Sequence, residues 1–189
     1  MDGQEVHDVR GFRVVVENTR SDISTHAVLA RLEEALALIE QVQPWRVRHL
    51  ERDLVQFLVV RYPCRGAYFP AEGTCMTELT FLARRDISAA PVASSILHEG
   101  VHARVHRMGE RFGAQLIGRD AAREERLCRR AELAFGRALP PELGAPVVDR
   151  ALQSLEMQDA EVAPVIDWTV ARARQERVDS SAKREHDGR

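Results

Sequence analysis

The sequence predicts an α+β fold in a single domain. Runs of β-branched residues that read as strands fall in the N-terminal half. Apolar residues at helical spacing dominate beyond residue 88. The chain's 189 residues, 44% of them hydrophobic, suffice for one compact core. The expected domain covers 1–179, with a strand-rich part over 10–85, a helical part over 88–178 and a disordered polar tail over 180–189. The sheet is expected to be small, antiparallel or mixed, and accompanied by a helix. The chain has no internal repeat.

Phe12 to Glu17 (FRVVVE) reads as a first strand. From Thr25 to about Val42, apolar residues at Val28, Leu29, Leu32, Leu36 and Ile39 keep helical spacing, with Ser24 or Thr25 as cap and Pro44 just beyond the end. Asp53 to Tyr62 (DLVQFLVVRY) is apolar enough for a central strand, and Pro63 stops it. Ala67–Phe69 and Thr77–Leu82 read as two strands joined through Pro70–Thr74, with Leu79 and Phe81 turned to the core. Pro91 suits the first turn of a helix reaching Met108, with Gly109 and Gly113 as stops. A further helix starts at Arg119 or Asp120, runs to Leu139 and closes at Pro140 and Pro141. Two more are expected over Pro146–Met157 and Ala160–Val178.

Composition excludes several functions. The 27 basic and 29 acidic residues leave a net charge of −2, which gives no reason to expect nucleic acid or an acidic membrane as partner. Lys183 is the only lysine, so the basic residues are a matter of arginine bias. The N-terminal MDGQEVHDVR lacks the apolar core of a signal peptide, and no run approaches the ~20 apolar residues of a membrane span. These features predict a soluble, cytoplasmic protein. Cys64, Cys75 and Cys128 have no metal-type spacing and are expected as free thiols, a Cys64–Cys75 disulfide being the alternative. There is no glycine-rich phosphate loop, nucleophilic-serine motif or paired-cysteine redox motif.

The chemistry is concentrated in residues 98–102, HEGVH. On a helix, positions i and i+4 lie about 40° apart on one face, so His98 and His102 can reach one metal together. Glu99 stands on the adjacent flank. A catalytic zinc needs few protein ligands, an open position for water and a nearby base, and Glu99 supplies that base. Glu99 would take a proton from the activated water and hand it to a leaving amine. Ile96 and Leu97 would anchor the helix, and Gly100 and Val101 are uncharged and compatible with burial.

A third ligand must come from elsewhere. His106 continues the series but stands about 12 Å along the axis from His98, too far to surround the same ion, so a packing or supporting role is expected. Residues 123–140, REERLCRRAELAFGRALP, hold the candidates Glu124, Glu125 and Glu132. Leu127, Cys128, Ala131, Ala134, Phe135 and Ala138 form the apolar stripe. Glu124 falls near its centre and Glu125 towards one edge, in line with Cys128 and Glu132. A carboxylate in such a stripe needs a partner, which a metal would be; an i+4 pair such as Glu125–Arg129 is the competing reading.

HEGVH followed by a helical carboxylate resembles the gluzincin group of zinc metallopeptidases. More narrowly, HEGVHARVHRMG followed by EERLCRRAELAFGRALP is similar to a small bacterial family of zinc-dependent peptidases with HExxHA, then ExxC with arginines, a second glutamate and an L-A-F run before proline. The matching positions are His98, Glu99, His102, Glu125, Cys128, Glu132 and Pro140, within residues 90–140. The resemblance implies a zincin-like fold, Zn2+ held by His98, His102 and Glu125, and Glu99 as catalytic base. It also places the Ala67–Leu82 hairpin above the motif helix, where an extended peptide could add as a strand. Tyr68 could there polarise a carbonyl. Arg129 and Arg130 could stabilise an oxyanion or hold a carboxylate, and Glu132 could orient a histidine. Trp45 and Trp168 are expected to pack in the core or between helices. The expected function is a zinc-dependent metallopeptidase acting on peptide or protein substrates, with no nucleic-acid or membrane partner. The alternative is a catalytically silent zincin-like binding or regulatory module.

Overall fold

The computed structural model describes residues 4–112, 120–164 and 166–187, with side chains to Ser181. Five strands, β1 (Gln4–Val9), β2 (Phe12–Glu17), β3 (Gln56–Val60), β4 (Gly66–Phe69) and β5 (Thr74–Glu78), form one mixed sheet in the order β1-β2-β3-β5-β4. β2, β3 and β5 are parallel, and the edge strands β1 and β4 run antiparallel to their neighbours. The helices are α1 (Thr25–Val42), α2 (Pro44–Asp53), α3 (Leu79–Ala83), α4 (Ala90–Phe112), α5 (Ala121–Ala138), α6 (Pro141–Glu156), α7 (Asp159–Val162) and α8 (Trp168–Asp187). The expected α+β class is therefore found, with α1 and α2 between β2 and β3 and the remaining helices after β5.

The parallel centre is apolar, but β3 alternates, with Phe57 and Val59 buried and Gln56, Leu58 and Val60 only partly so, which marks one face as the core face. One face carries Val14, Phe57, Cys75 and Tyr68 in a row, and beside it Val16, Val59, Thr77 and Gly66. Val14, Val16, Phe57, Val59 and Cys75 are fully buried, together with Val28, Leu32 and Ile39 of α1 and Ala90, Val92, Ala93 and Ile96 of α4. Full burial of each large side chain contributes about 1.5–3 kcal/mol, so this single core holds α4 firmly under the sheet.

Several boundaries depart from expectation for physical reasons. β1 is polar and exposed along most of its length, so periodicity hides it; a two-residue turn at Arg10 and Gly11, both at positive φ, joins it to β2. α2 is short and mostly charged, with only Val47 and Leu50 turned to the core, too few for a helical stripe; its last residue, Asp53, is the first of the segment read as a strand. The expected strand Thr77–Leu82 is corrected. β5 ends at Glu78, whose carboxylate accepts the Phe81 amide at 2.8 Å and the Thr80 hydroxyl at 2.7 Å, nucleating α3. The expected helix over Ala160–Val178 is divided into α7 and α8, and α6 starts five residues before Pro146, which lies within its first turns. α8 continues to Asp187, through most of the segment expected as a disordered tail. α4 runs through Gly109; the stop at Gly113 and the start at Arg119 fall outside the described residues. Asp120 caps α5 by accepting the Arg123 amide at 3.1 Å. All three cysteines are free thiols, which excludes the Cys64–Cys75 bridge. Among the described residues, no helix is long and apolar enough to cross a membrane.

Candidate metal centre

α4 buries Val92, Ala93, Ile96 and Leu97 against the sheet and α1, which turns His98 and Glu99 to the base of a cleft while keeping both 8% exposed. Their i,i+4 placement sets the His98 and His102 rings 5.0 Å apart between centroids. α5 crosses alongside, anchored by the buried Cys128, Ala131 and Phe135.

Three donors converge there. His98 Nε2 and His102 Nε2 are 3.2 Å apart; Glu125 Oε2 lies 3.2 Å from the first and Glu125 Oε1 3.3 Å from the second. Donors at zinc-ligand distances around a tetrahedral ion stand about 3.3 Å from one another. The two Nε2 atoms have this spacing and the Glu125 carboxylate spans them with one oxygen towards each ring; the chemistry of the set, two imidazoles and one carboxylate, fits zinc.

Behind each imidazole stands a further carboxylate. His98 Nδ1 lies 2.6 Å from Glu132 Oε1, and His102 Nδ1 lies 2.6 Å from Glu124 Oε1. Glu132 also accepts from Ser94 Oγ at 2.9 Å and from the Arg129 guanidinium at 2.6 Å, which marks it as an ionised acceptor. With Nδ1 donating its proton to these carboxylates, a neutral ring would turn its Nε2 lone pair towards the other ring and Glu125.

The electrostatics favour positive charge at this point. Burial alone would lower the pKa of His98, but Glu125 and Glu132 outweigh it and raise it. Burial likewise opposes the charged form of His102, and Cys128, Glu124 and Glu125 together raise its pKa. Burial pushes Glu125 up, yet the two imidazoles hold it well below the ordinary carboxylate range. Glu99 is different: burial raises its pKa, against the pull of the two histidines.

Cys128 is a second possible donor, since its sulfur and a nitrogen of each ring all lie within 4.8 Å of one another. Burial pushes the thiol up to about 11, against the pull of His102. The shorter contacts favour Glu125.

The cleft, about 890 Å³ in volume, is roofed by β4. Gly66 and Tyr68 face α4 on the same side of that strand, and a Cβ at Gly66 would lie 2.9 Å from both Glu99 Oε1 and Ser95 Oγ, so a larger residue would displace one of these side chains. β4 pairs with β5 alone, leaving its other edge unpaired along the cleft.

His98, His102 and Glu125 thus stand together with Glu99 beside them, the carboxylate being the one that the family resemblance implied and not the one at the centre of the apolar stripe. Glu124, the residue nearest the centre of the apolar stripe, supports His102 instead of joining the triangle. Glu132 orients His98, with Arg129 holding Glu132; Arg130 is exposed. His106 contacts Glu110 and the Tyr68 ring, away from the triangle. Trp45 and Trp168 are not core residues: each is about two-fifths exposed, and Trp168 packs on Tyr62 at the cleft wall. Ser94 and the close approach at Gly66 went unread, although Ser94 lies four residues before His98 and so shares its face. Comparison with protein-family models, curated proteins and solved structures finds no match.

Proposed function

We propose that this chain is a zinc-dependent peptidase of zincin-like fold, with His98, His102 and Glu125 as metal ligands. The observation that carries the reading is the pair of facing Nε2 atoms spanned by the Glu125 carboxylate, one oxygen to each ring, with each imidazole held from behind by its own carboxylate. Zinc so held supplies Lewis acidity to water and to a substrate carbonyl. Glu99 accepts the proton from the attacking water at its carboxylate and passes it to the departing amine nitrogen. Its position under Gly66 keeps that carboxylate between the ligand triangle and the roof strand. The free edge of β4 offers backbone groups to an extended peptide, which would lie over Glu99. This supports a peptide as substrate.

The test is hydrolysis of a mixed peptide library by zinc-loaded protein with a chelator control. Glu99→Gln is expected to retain stoichiometric zinc and lose hydrolysis. Full activity in that variant would rule this mechanism out. Persistent silence of the wild type alongside tight zinc binding would favour a non-catalytic binding module.

A further inference from the structure

The two ends of the cleft differ in charge. Of the residues lining it, Tyr68 and His106 lie together in ring contact, and Arg65, Arg129 and Arg150 lie close enough to act on one another electrostatically. Arg129 is already engaged with Glu132 at 2.6 Å. The guanidinium groups of Arg65 and Arg150 make no ion pair or hydrogen bond among the described residues; Arg65 only lies 5.3 Å over the Phe81 ring. The placement of Arg150 is built into the fold. Gly144 of α6 abuts the Gly136 carbonyl of α5, where a Cβ would come within 2.1 Å, and this close crossing brings α6 and Arg150 to the cleft beside Glu132. Burial lowers the pKa of Arg150; Glu132 raises it, while Arg129 and Arg65 lower it further. The carboxylates lining this cleft are turned to the histidines or Arg129, or lie under Gly66 in the case of Glu99. Two cations therefore face the cleft with no anion of their own.

The direction of the roof strand says which part of a substrate meets them. β4 runs from Gly66, over Ser95 and Glu99, to Tyr68, beside His106. A peptide added antiparallel to β4 runs the other way, from the Tyr68 end to the Arg65 end. Its C-terminal side then reaches the two free guanidinium groups.

We propose that Arg65 and Arg150 recognise a carboxylate on the C-terminal side of the cleaved bond. The substrates are then peptides with a free C-terminus at that place, or with an Asp or Glu side chain there. This rests on the peptidase reading above. Planar guanidinium groups pair with carboxylates in bidentate fashion, and although both arginines are exposed, two cations without a paired anion favour a carboxylate over a neutral amide.

The experiment uses matched short peptides in three forms: free C-terminus with neutral side chains, C-terminal amide with neutral side chains, and C-terminal amide with Asp or Glu at successive positions. For zinc-loaded wild type, kcat/KM is expected to be about 10- to 100-fold higher for a carboxylate-bearing form than for the neutral amide, the arm that gains naming the source of the carboxylate. In the Arg65→Gln/Arg150→Gln protein the rates should converge. Equal rates in the wild type, or a preference that survives the double substitution, would overturn the proposal. If no peptide is cleaved, the peptidase reading fails, and the site is read separately from fluorescence anisotropy of labelled peptides with zinc-loaded Glu99→Gln protein. Carboxylate-dependent binding that disappears when Arg65 and Arg150 are also replaced supports the site; binding indifferent to the carboxylate sinks it.

Discussion

His98 and His102 are the same side chain one helical turn apart, yet they are held by different means. The His98 side of the α4–α5 junction is closed: Glu132 is 2% exposed and is fixed in turn by Ser94 and Arg129. The His102 side is open: Glu124 sits in the first turn of α5 with about a third of its side chain exposed. A buried, fully satisfied carboxylate orients an imidazole rigidly and leaves a large penalty when removed. An exposed one is exchangeable with water. The difference teaches that the two ligands make unequal demands on the fold, His98 through the core and His102 through a surface contact.

The largest expected effect breaks the closed side. Glu132→Gln removes the nearer anion of Arg129, leaving Glu125 at 4.0 Å, so stability should fall by about 1–3 kcal/mol. Zinc affinity should fall by about 10- to 100-fold. Denaturant titration of the metal-free protein and competition with a chromophoric chelator read the two separately. Next comes the roof strand. Gly66→Ala forces Glu99, Ser95 or β4 aside, at a cost of about 1–3 kcal/mol, with loss of turnover but retention of zinc. Glu124→Gln on the open side should cost less than about 1 kcal/mol of stability, and its effect on zinc affinity should be smaller than that of Glu132→Gln. If Glu124→Gln weakened zinc more than Glu132→Gln, the contrast between the two sides would be wrong.

The smallest expected effect lies away from both histidines. Asp53 is buried, which alone would raise its pKa, but Arg52 and Arg104 hold it below the ordinary value of 3.8. A group depressed in the folded state contributes stability above its unfolded pKa and loses it as pH falls through the folded one. Asp53→Asn should therefore be less stable than wild type at neutral pH, by up to about 1 kcal/mol because Arg52 is solvent-screened. The two proteins should converge below pH 3.8. Denaturation midpoints across pH give the comparison.

Much of the fold and site is legible in the residues alone. HEGVH states its own spacing, α1 and α4 carry apolar stripes, and Asp120 before an amphipathic run marks the start of α5. The illegible parts share a cause. β1 and α2 draw their stability from a neighbour and not from their own pattern, β1 by pairing with β2 and α2 by setting Leu50 under Gly100. Glu124 and Glu125 are adjacent, hence about 100° apart around a helix, and only the crossing of α5 over α4 decides which one faces the ligand triangle. The centre of the apolar stripe points to Glu124, because burying a helix face and facing a metal are different directions at this crossing. Arg65 and Arg150 are far apart in the chain, and no local pattern brings them to one cleft.

The most direct test of the central claim is X-ray absorption at the zinc edge of protein loaded with one equivalent of zinc. The account predicts nitrogen and oxygen donors at about 2.0–2.2 Å, with two imidazoles among them and no sulfur. It predicts an unchanged spectrum for Cys128→Ser and a changed one for Glu125→Gln. A sulfur neighbour at about 2.3 Å that vanishes in Cys128→Ser would contradict it and give the third position to Cys128.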